Sequence, residues 1–147
     1  MTEGGLIVTD TLYSDAQEER AYQLATGLLK GNEAHRPDGI ICLNEPTSTG
    51  AARAMKEQQL AVGEIPMVGF DSSKEEIKFL EEGIFQAIVV QKPFNMGYLA
   101  IKTALEASEG KKVELRIDTG ASVITKDTMY TKDNQKLLVP FVEHEGQ

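Results

Sequence analysis

The chain has 147 residues, with 15 Lys plus Arg against 23 Asp plus Glu, for a formal charge of −8 and a pI near 4.8. Nucleic acid and anionic membrane surfaces are disfavoured partners, because phosphate neutralisation needs a basic face and the longest basic run is Lys111-Lys112. A 41% hydrophobic and 26% charged composition falls near globular averages, no apolar run approaches a membrane span, and at this length one ordinary domain can bury roughly 68–70% of its unfolded surface.

Short apolar runs alternate with longer helical ones, which predicts an α/β domain with a largely parallel sheet. Leu6-Ile7-Val8 is expected to open the first strand. Ser14 with Gln17 has the spacing of a capping box, and Ala21, Leu24, Ala25 and Leu28 repeat at helical spacing until Gly31. Gly39 to Leu43 is a continuous apolar run, as in a strand covered on both faces, and ends on Asn44-Glu45-Pro46; a helix is expected from about Thr47 to Gln59. Pro66 to Phe70 predicts another strand, Asp71-Ser72 a turn, and Ser73 with Glu76 a capped helix ending at Gly83.

Phe85 to Val90 predicts the fourth strand. Pro93 suits the first turn of a helix whose Met96, Ala100, Ala104 and Ala107 form an apolar stripe before Gly110. Val113, Leu115 and Ile117 alternate as in an edge strand, and Ala121 to Ile124 predicts a further short one. In the polar tail, Leu137 to Phe141 is apolar enough to need a partner.

In open α/β sheets ligands bind beyond the carboxyl ends of the strands, where backbone N–H groups and helix N-termini converge. The polar residues there are Thr11, Tyr13 and Asp15 after the first strand, Asn44 after the second, Asp71 after the third and Gln91 after the fourth. Two amides and a carboxylate can satisfy several sugar hydroxyls, each of which is both donor and acceptor. Strand-end Asn and Asp are also ordinary turn and capping residues, so that reading stands beside the polyol site. Tyr13 and Phe94 lie nearest the strand ends for stacking on a sugar ring; Tyr22, Phe70 and Phe85 read as core or helix face.

Catalytic patterns are absent: no G-x-S-x-G elbow, no phosphate loop and no G-x-G-x-x-G opening a helix. A phosphate-accepting receiver would want a carboxylate pair after the first strand, where Asp10 stands alone. Glu18-Glu19, Glu75-Glu76 and Glu81-Glu82 read as solvated helix faces, since neighbours on a helix point about 100° apart. One cysteine, Cys42, excludes an internal disulfide and reads as inert core; with His35 and His144 far apart, no metal site or cofactor is expected.

The run Gly39 to Glu45 leading to Gly50-Ala51-Ala52-Arg53-Ala54, then Val68-Gly69-Phe70-Asp71, then Ile88 to Pro93 with Gly97, resembles the C-terminal lobe of ribose-type periplasmic sugar-binding proteins, a pattern shared by LacI-type effector cores. The resemblance runs from about Gly5 to Thr131. It implies a three-layer α/β sandwich with a mainly parallel sheet, a single periplasmic-binding-protein-like lobe of type I over residues 1–147. It also implies a monosaccharide held by Asn44, Asp71 and Gln91, with Asp15 or Tyr13 facing the ligand; Glu45, where the family commonly has Asp, supports the turn.

Such proteins close two lobes on their ligand, and here only one lobe is recognisable. By resemblance residues 93–117 would belong mainly to the other lobe, so their apolar stripe is expected to associate, as a homodimer or an exchanged segment. Met1 before Thr-Glu-Gly-Gly suggests an engineered start or a truncated reading frame. The implied role is the non-enzymatic solute-binding component of a sugar ABC uptake system, periplasmic or extracellular, membrane-associated, presenting sugar to a permease. The alternative is the effector core of a sugar-responsive transcription regulator, which would need a helix-turn-helix; the segment Asn134 to Leu138 looks more like the transport branch.

Overall fold

The computed structural model describes residues 4–31 and 36–139. Helix α1 (Glu18–Lys30) leads to strand β1 (Ile40–Ile41), α2 (Glu45–Glu57), β2 (Met67–Phe70), α3 (Lys74–Glu82), β3 (Ala87–Gln91), α4 (Pro93–Ser108), β4 (Ala121–Ile124) and α5 (Lys132–Leu138). The sheet has the order β1-β2-β3-β4; the first three strands are parallel and β4 returns antiparallel along β3, with Gln91 opposite Ala121.

Register and burial separate the two faces of this sheet. Met67, Ile88, Val90 and Ile124 are buried on one face, in a single core with Ala25 and Leu29 of α1, Ala51, Ala52, Ala54 and Met55 of α2, and Phe79 and Leu80 of α3. The opposite face carries Ile41, Val68, Ala87, Val89 and Val123, of which Ile41 and Val123 are exposed. The mainly parallel α/β sheet of the expected lobe is thus formed, with the layer on its second face left open among the described residues. Gly39 to Leu43 is consequently not covered on both sides: Cys42 is buried, whereas Ile41 and Leu43 face outward.

Two expected strands do not form. Leu6-Ile7-Val8 and Val113 to Ile117 are without regular structure, and Leu6, Ile7, Leu115 and Ile117 are exposed. A strand is stabilised by a ladder, and neither run has a neighbour to pair with. The Ser14/Gln17 capping box is also absent: Gln17 itself precedes α1, no side chain caps it, and the Ser14 hydroxyl is buried without a partner. The Ser73/Glu76 box is present, with Ser73 Oγ accepting from the Glu76 N–H and the Glu76 carboxylate accepting from the Ser73 N–H. Leu138 finds its partner in the core, with Leu137 packed against it; Pro140 and Phe141 lie outside the described residues, as do His35 and His144.

Helix α4 differs from the others in burying none of its residues. Its interior is well formed, with Pro93 in the first turn, yet Phe94, Met96, Tyr98, Ile101 and Leu105 are all exposed.

Candidate functional site

Asp71 and Gln91 stand at the carboxyl ends of two hydrogen-bonded strands, and the structure brings them together: Gln91 Nε2 donates to Asp71 Oδ1 over 2.8 Å. The Asp71 N–H donates to the Val89 carbonyl, which extends the ladder one residue past β2 and holds the carboxylate beside β3. Its backbone has φ +86°, a left-handed conformation that costs a non-glycine residue of order 1–3 kcal/mol and that Asp tolerates better than most. In this conformation the carboxylate meets the Gln91 side chain across the two strand ends.

A shallow cleft of about 220 Å³ opens over this pair. Asp71, Ser72 and Gln91 supply its polar floor, and Val90, Pro93, Met96 and Leu137 its apolar wall. Sequence reasoning left Met96 on a stripe and Leu137 in a tail; the structure places both beside the end of β3. A typical small-molecule pocket occupies about 300–1,000 Å³, so the cleft could seat one edge of a small polar molecule, with the rest open.

Asn44 takes a different part. It is the N-cap of α2: its Oδ1 accepts from the Thr47 N–H at 3.0 Å, and Thr47 Oγ1 accepts from the Asn44 N–H in return. Helix capping therefore uses the amide oxygen, and no described hydrogen bond uses the Asn44 NH₂ group. Asn44 does not line the cleft, but one turn on, Ser48 ties it to β2. Buried completely, Ser48 Oγ donates to the Asn44 carbonyl at 2.9 Å and accepts the Phe70 N–H at 2.9 Å, one residue before Asp71. Sequence reasoning missed Ser48; its position four residues after a cap Asn, where a serine hydroxyl can bond back to the carbonyl, was the available signal.

Beside Ser48 lies Glu76, which is fully buried and corrects the expectation of a solvated Glu75-Glu76 face. Its Oε2 accepts from the Ser73 N–H and hydroxyl, while Oε1 is buried without a partner. Burial, only partly offset by the Ser73 bonds, pushes its carboxyl up to about 7. The thiol of Cys42 is pushed up to about 12, by burial first and then by the Glu76 charge, which suits inert core.

The two residues expected from the first strand end stay apart from the cleft. Asp15 is exposed at φ +53° and paired with Arg20, and Tyr13 is 73% exposed on the unpaired segment before α1. Phe94, on the first turn of α4, is 85% exposed. Among the described residues no cluster of His, Cys, Asp and Glu could hold a metal, and no helix is long and apolar enough to cross a membrane.

Known proteins share both the sequence and this architecture. The ribose import binding protein of Haemophilus influenzae is 32% identical over 87 residues, 59% of this chain and 29% of that protein. A carbohydrate transporter solute-binding protein from Agrobacterium radiobacter, solved with D-arabinose, is 34% identical with a TM-score of 0.80, covering 93% of this chain and 45% of that one. An ABC transporter solute-binding protein from Agrobacterium vitis, solved with D-fucose, is 33% identical with a TM-score of 0.77, covering 88% and 44%. The chain thus spans less than half the length of these relatives. The periplasmic binding protein domain pattern matches residues 1–112, and the chain belongs to that family.

Proposed function

We propose that the chain contributes one side of a monosaccharide site, as part of the solute-binding component of a sugar ABC uptake system. The observation that carries this reading is the Asp71–Gln91 pair, in which the hydrogen bond to Oδ1 leaves the second carboxylate oxygen and the amide oxygen of Gln91 to meet ligand hydroxyls. The apolar wall of Met96 and Leu137 suits the C–H edge of a pyranose or furanose. Asn44, whose NH₂ group makes no described hydrogen bond, lies outside the cleft and would meet only a ligand that extends past it, and Asp15 and Tyr13 would reach the ligand only on movement of the segment before α1. Sugar ligands and transport names among the relatives support the same class.

The role is binding without chemistry, in the periplasm or outside the cell. A permease is the partner of the whole protein, and its membrane association runs through that permease. In isolation, residues 1–147 pair with a copy of themselves through α4, none of whose residues is buried.

A thermal-shift screen against pentoses, hexoses and polyols at millimolar concentration tests the site. Stabilisation by one sugar, lost in Asp71→Ala and Gln91→Ala, is the expected result. Stabilisation that survives undiminished in Asp71→Ala would remove the carboxylate from the site.

A further inference from the structure

The cleft over Asp71 and Gln91 is chemically two-sided. Of its seven lining residues Asp71, Ser72 and Gln91 are polar, whereas Val90, Pro93, Met96 and Leu137 offer nothing that hydrogen-bonds through its side chain beyond the weak thioether acceptor of Met96. Leu137 is held there by the fold around α5. A turn after β4, closed by Thr125 and Thr128 on each other, delivers Met129 into the core. The Asn134 and Gln135 side chains donate back to the Thr128 and Met129 carbonyls at 2.9 and 2.8 Å, which pins α5 against that turn. Leu138 is buried in the core, and its neighbour Leu137, about 100° round the helix, comes out at the core's border on the cleft. Met96 reaches the same cleft from α4 and is 40% exposed, so it adapts where Leu137 is fixed. Helix α5 lies beyond residues 1–112, so the family pattern does not specify this wall.

We infer that Leu137, with Met96, is a specificity-determining residue of the strand-end site, and that it selects sugars by what ring carbon C5 carries: methyl before hydrogen, and hydrogen before hydroxymethyl. The preferred ligand is then a neutral 6-deoxyhexose. This deepens the monosaccharide reading and rests on it. A hexopyranose is two-sided in the same sense as the cleft, with hydroxyls on C2 to C4 and the exocyclic carbon on C5. A ring that gives adjacent hydroxyls to the Asp71–Gln91 pair turns its C5 edge to the wall. There a methyl gains apolar contact. A hydroxymethyl brings an oxygen for which neither Leu137 nor Met96 has a donor, and a bare C5 leaves the wall uncovered.

Three sets of sugars keep the ring hydroxyls constant and change only C5. They are D-fucose, L-arabinose and D-galactose; D-quinovose, D-xylose and D-glucose; and D-rhamnose, D-lyxose and D-mannose. Each sugar is titrated into the ¹⁵N-labelled 147-residue chain, and its dissociation constant is read from the backbone amides of Ser72 and Leu137 and the side-chain amide of Gln91. In the set whose hydroxyls the pair accepts, the 6-deoxy sugar is expected to bind about fourfold more tightly than the pentose, the scale of one methyl group, and about tenfold more tightly than the hexose. Leu137→Asn gives the hydroxymethyl a partner and should bring the hexose level with the 6-deoxy sugar or ahead of it. Met96→Gln, on a helix that buries no residue, repeats the test without touching the core and should narrow the preference in the same direction. Asp71→Ala should weaken all three members of the set alike.

A hexose bound as tightly as its 6-deoxy counterpart, or a preference that both wall variants leave unchanged, would overturn the role of Leu137 and leave the monosaccharide reading standing. If no sugar in any set moves these amides, the monosaccharide reading falls and this inference with it.

Discussion

Burial of Glu76 makes one side chain a determinant of stability against pH. Its carboxyl holds its proton up to about 7 in the fold, whereas in the unfolded chain it releases it near 4.5. The folded state therefore binds the extra proton between those values, so the contribution is fully present below about 4.5 and is lost as pH rises through 7. At about 1.4 kcal/mol per pH unit the loss is on the order of 3 kcal/mol. Glu76→Gln, which keeps shape and cannot ionise, is expected to flatten the unfolding free energy measured by urea melts across this window and to exceed the wild type above pH 7. A wild type equally stable on both sides of the window would refute it. The sequence marks Glu76 as the capping-box partner of Ser73, but not as a buried carboxylate; it is the box, which draws the carboxylate back towards Ser73, that turns it inward. That Asp71 and Gln91 sit at neighbouring strand ends was legible because each closes an apolar strand run with a polar residue; their hydrogen bond depends on the pairing of β2 with β3. Asn44 was legible as a strand end, and of its two readings the structure shows the capping one, with its oxygen bonded to the Thr47 N–H of α2.

Between elements, α1 and α2 pack backbone close to backbone, and Gly50 permits it. A Cβ at Gly50 would lie 2.3 Å from the Glu18 carbonyl oxygen, 2.8 Å from the Tyr22 nitrogen and 2.9 Å from the Ala21 Cβ, all of them atoms that cannot swing aside. Arg53 closes the same seam from above, bonded to Glu18 at 2.6 Å and lying 4.9 Å from the centre of the Tyr22 ring. Gly50→Ala should therefore force the helices apart and cost about 1–3 kcal/mol or more, despite the higher helix propensity of alanine. Chemical denaturation measures it, and an unchanged or raised midpoint would refute the packing argument. The Gly-Ala-Ala-Arg-Ala run showed this face as small-residue helix, but which helix it met depended on the crossover from α1 to β1. Helices α1 to α4 were readable because each carries its own periodicity and backbone bonds, whereas the seven residues of α5 read only as a polar tail. Strands were readable only where a neighbour exists: Ile40-Ile41, Met67 to Phe70, Ala87 to Gln91 and Ala121 to Ile124 pair, while the equally apolar Leu6-Ile7-Val8 does not.

At the scale of the whole molecule the surface is too large for the mass. A folded monomer of 16.1 kDa is expected to expose about 7,400 Å², and this chain exposes 10580 Å². Unpaired segments such as residues 6–13 contribute to the excess, as do apolar faces of α4 and the sheet that no described residue covers. It is also apolar in the right places: Phe94, Tyr98, Ile101 and Leu105 run along α4, and Ile41, Leu43 and Val123 lie on the open side of the sheet. Such surface drives association, and in isolation the partner in highest supply is a second copy. Light scattering across the micromolar range should give twice the 16.1 kDa mass, and Ile101→Glu with Leu105→Glu, which touch nothing in the core, should return it to the monomer without lowering helix content. A monomer at every concentration would mean that α4 is tolerated bare and that the excess surface serves only contacts within a longer two-lobed protein. Dimerisation through α4 would carry a cost at the site. Met96 lines the cleft from the same helix, so the dimer fixes the apolar wall beside Asp71 and Gln91 in a position set by the second copy. The α4 double variant should then change sugar affinity as well as mass, with the Asp71–Gln91 pair itself untouched.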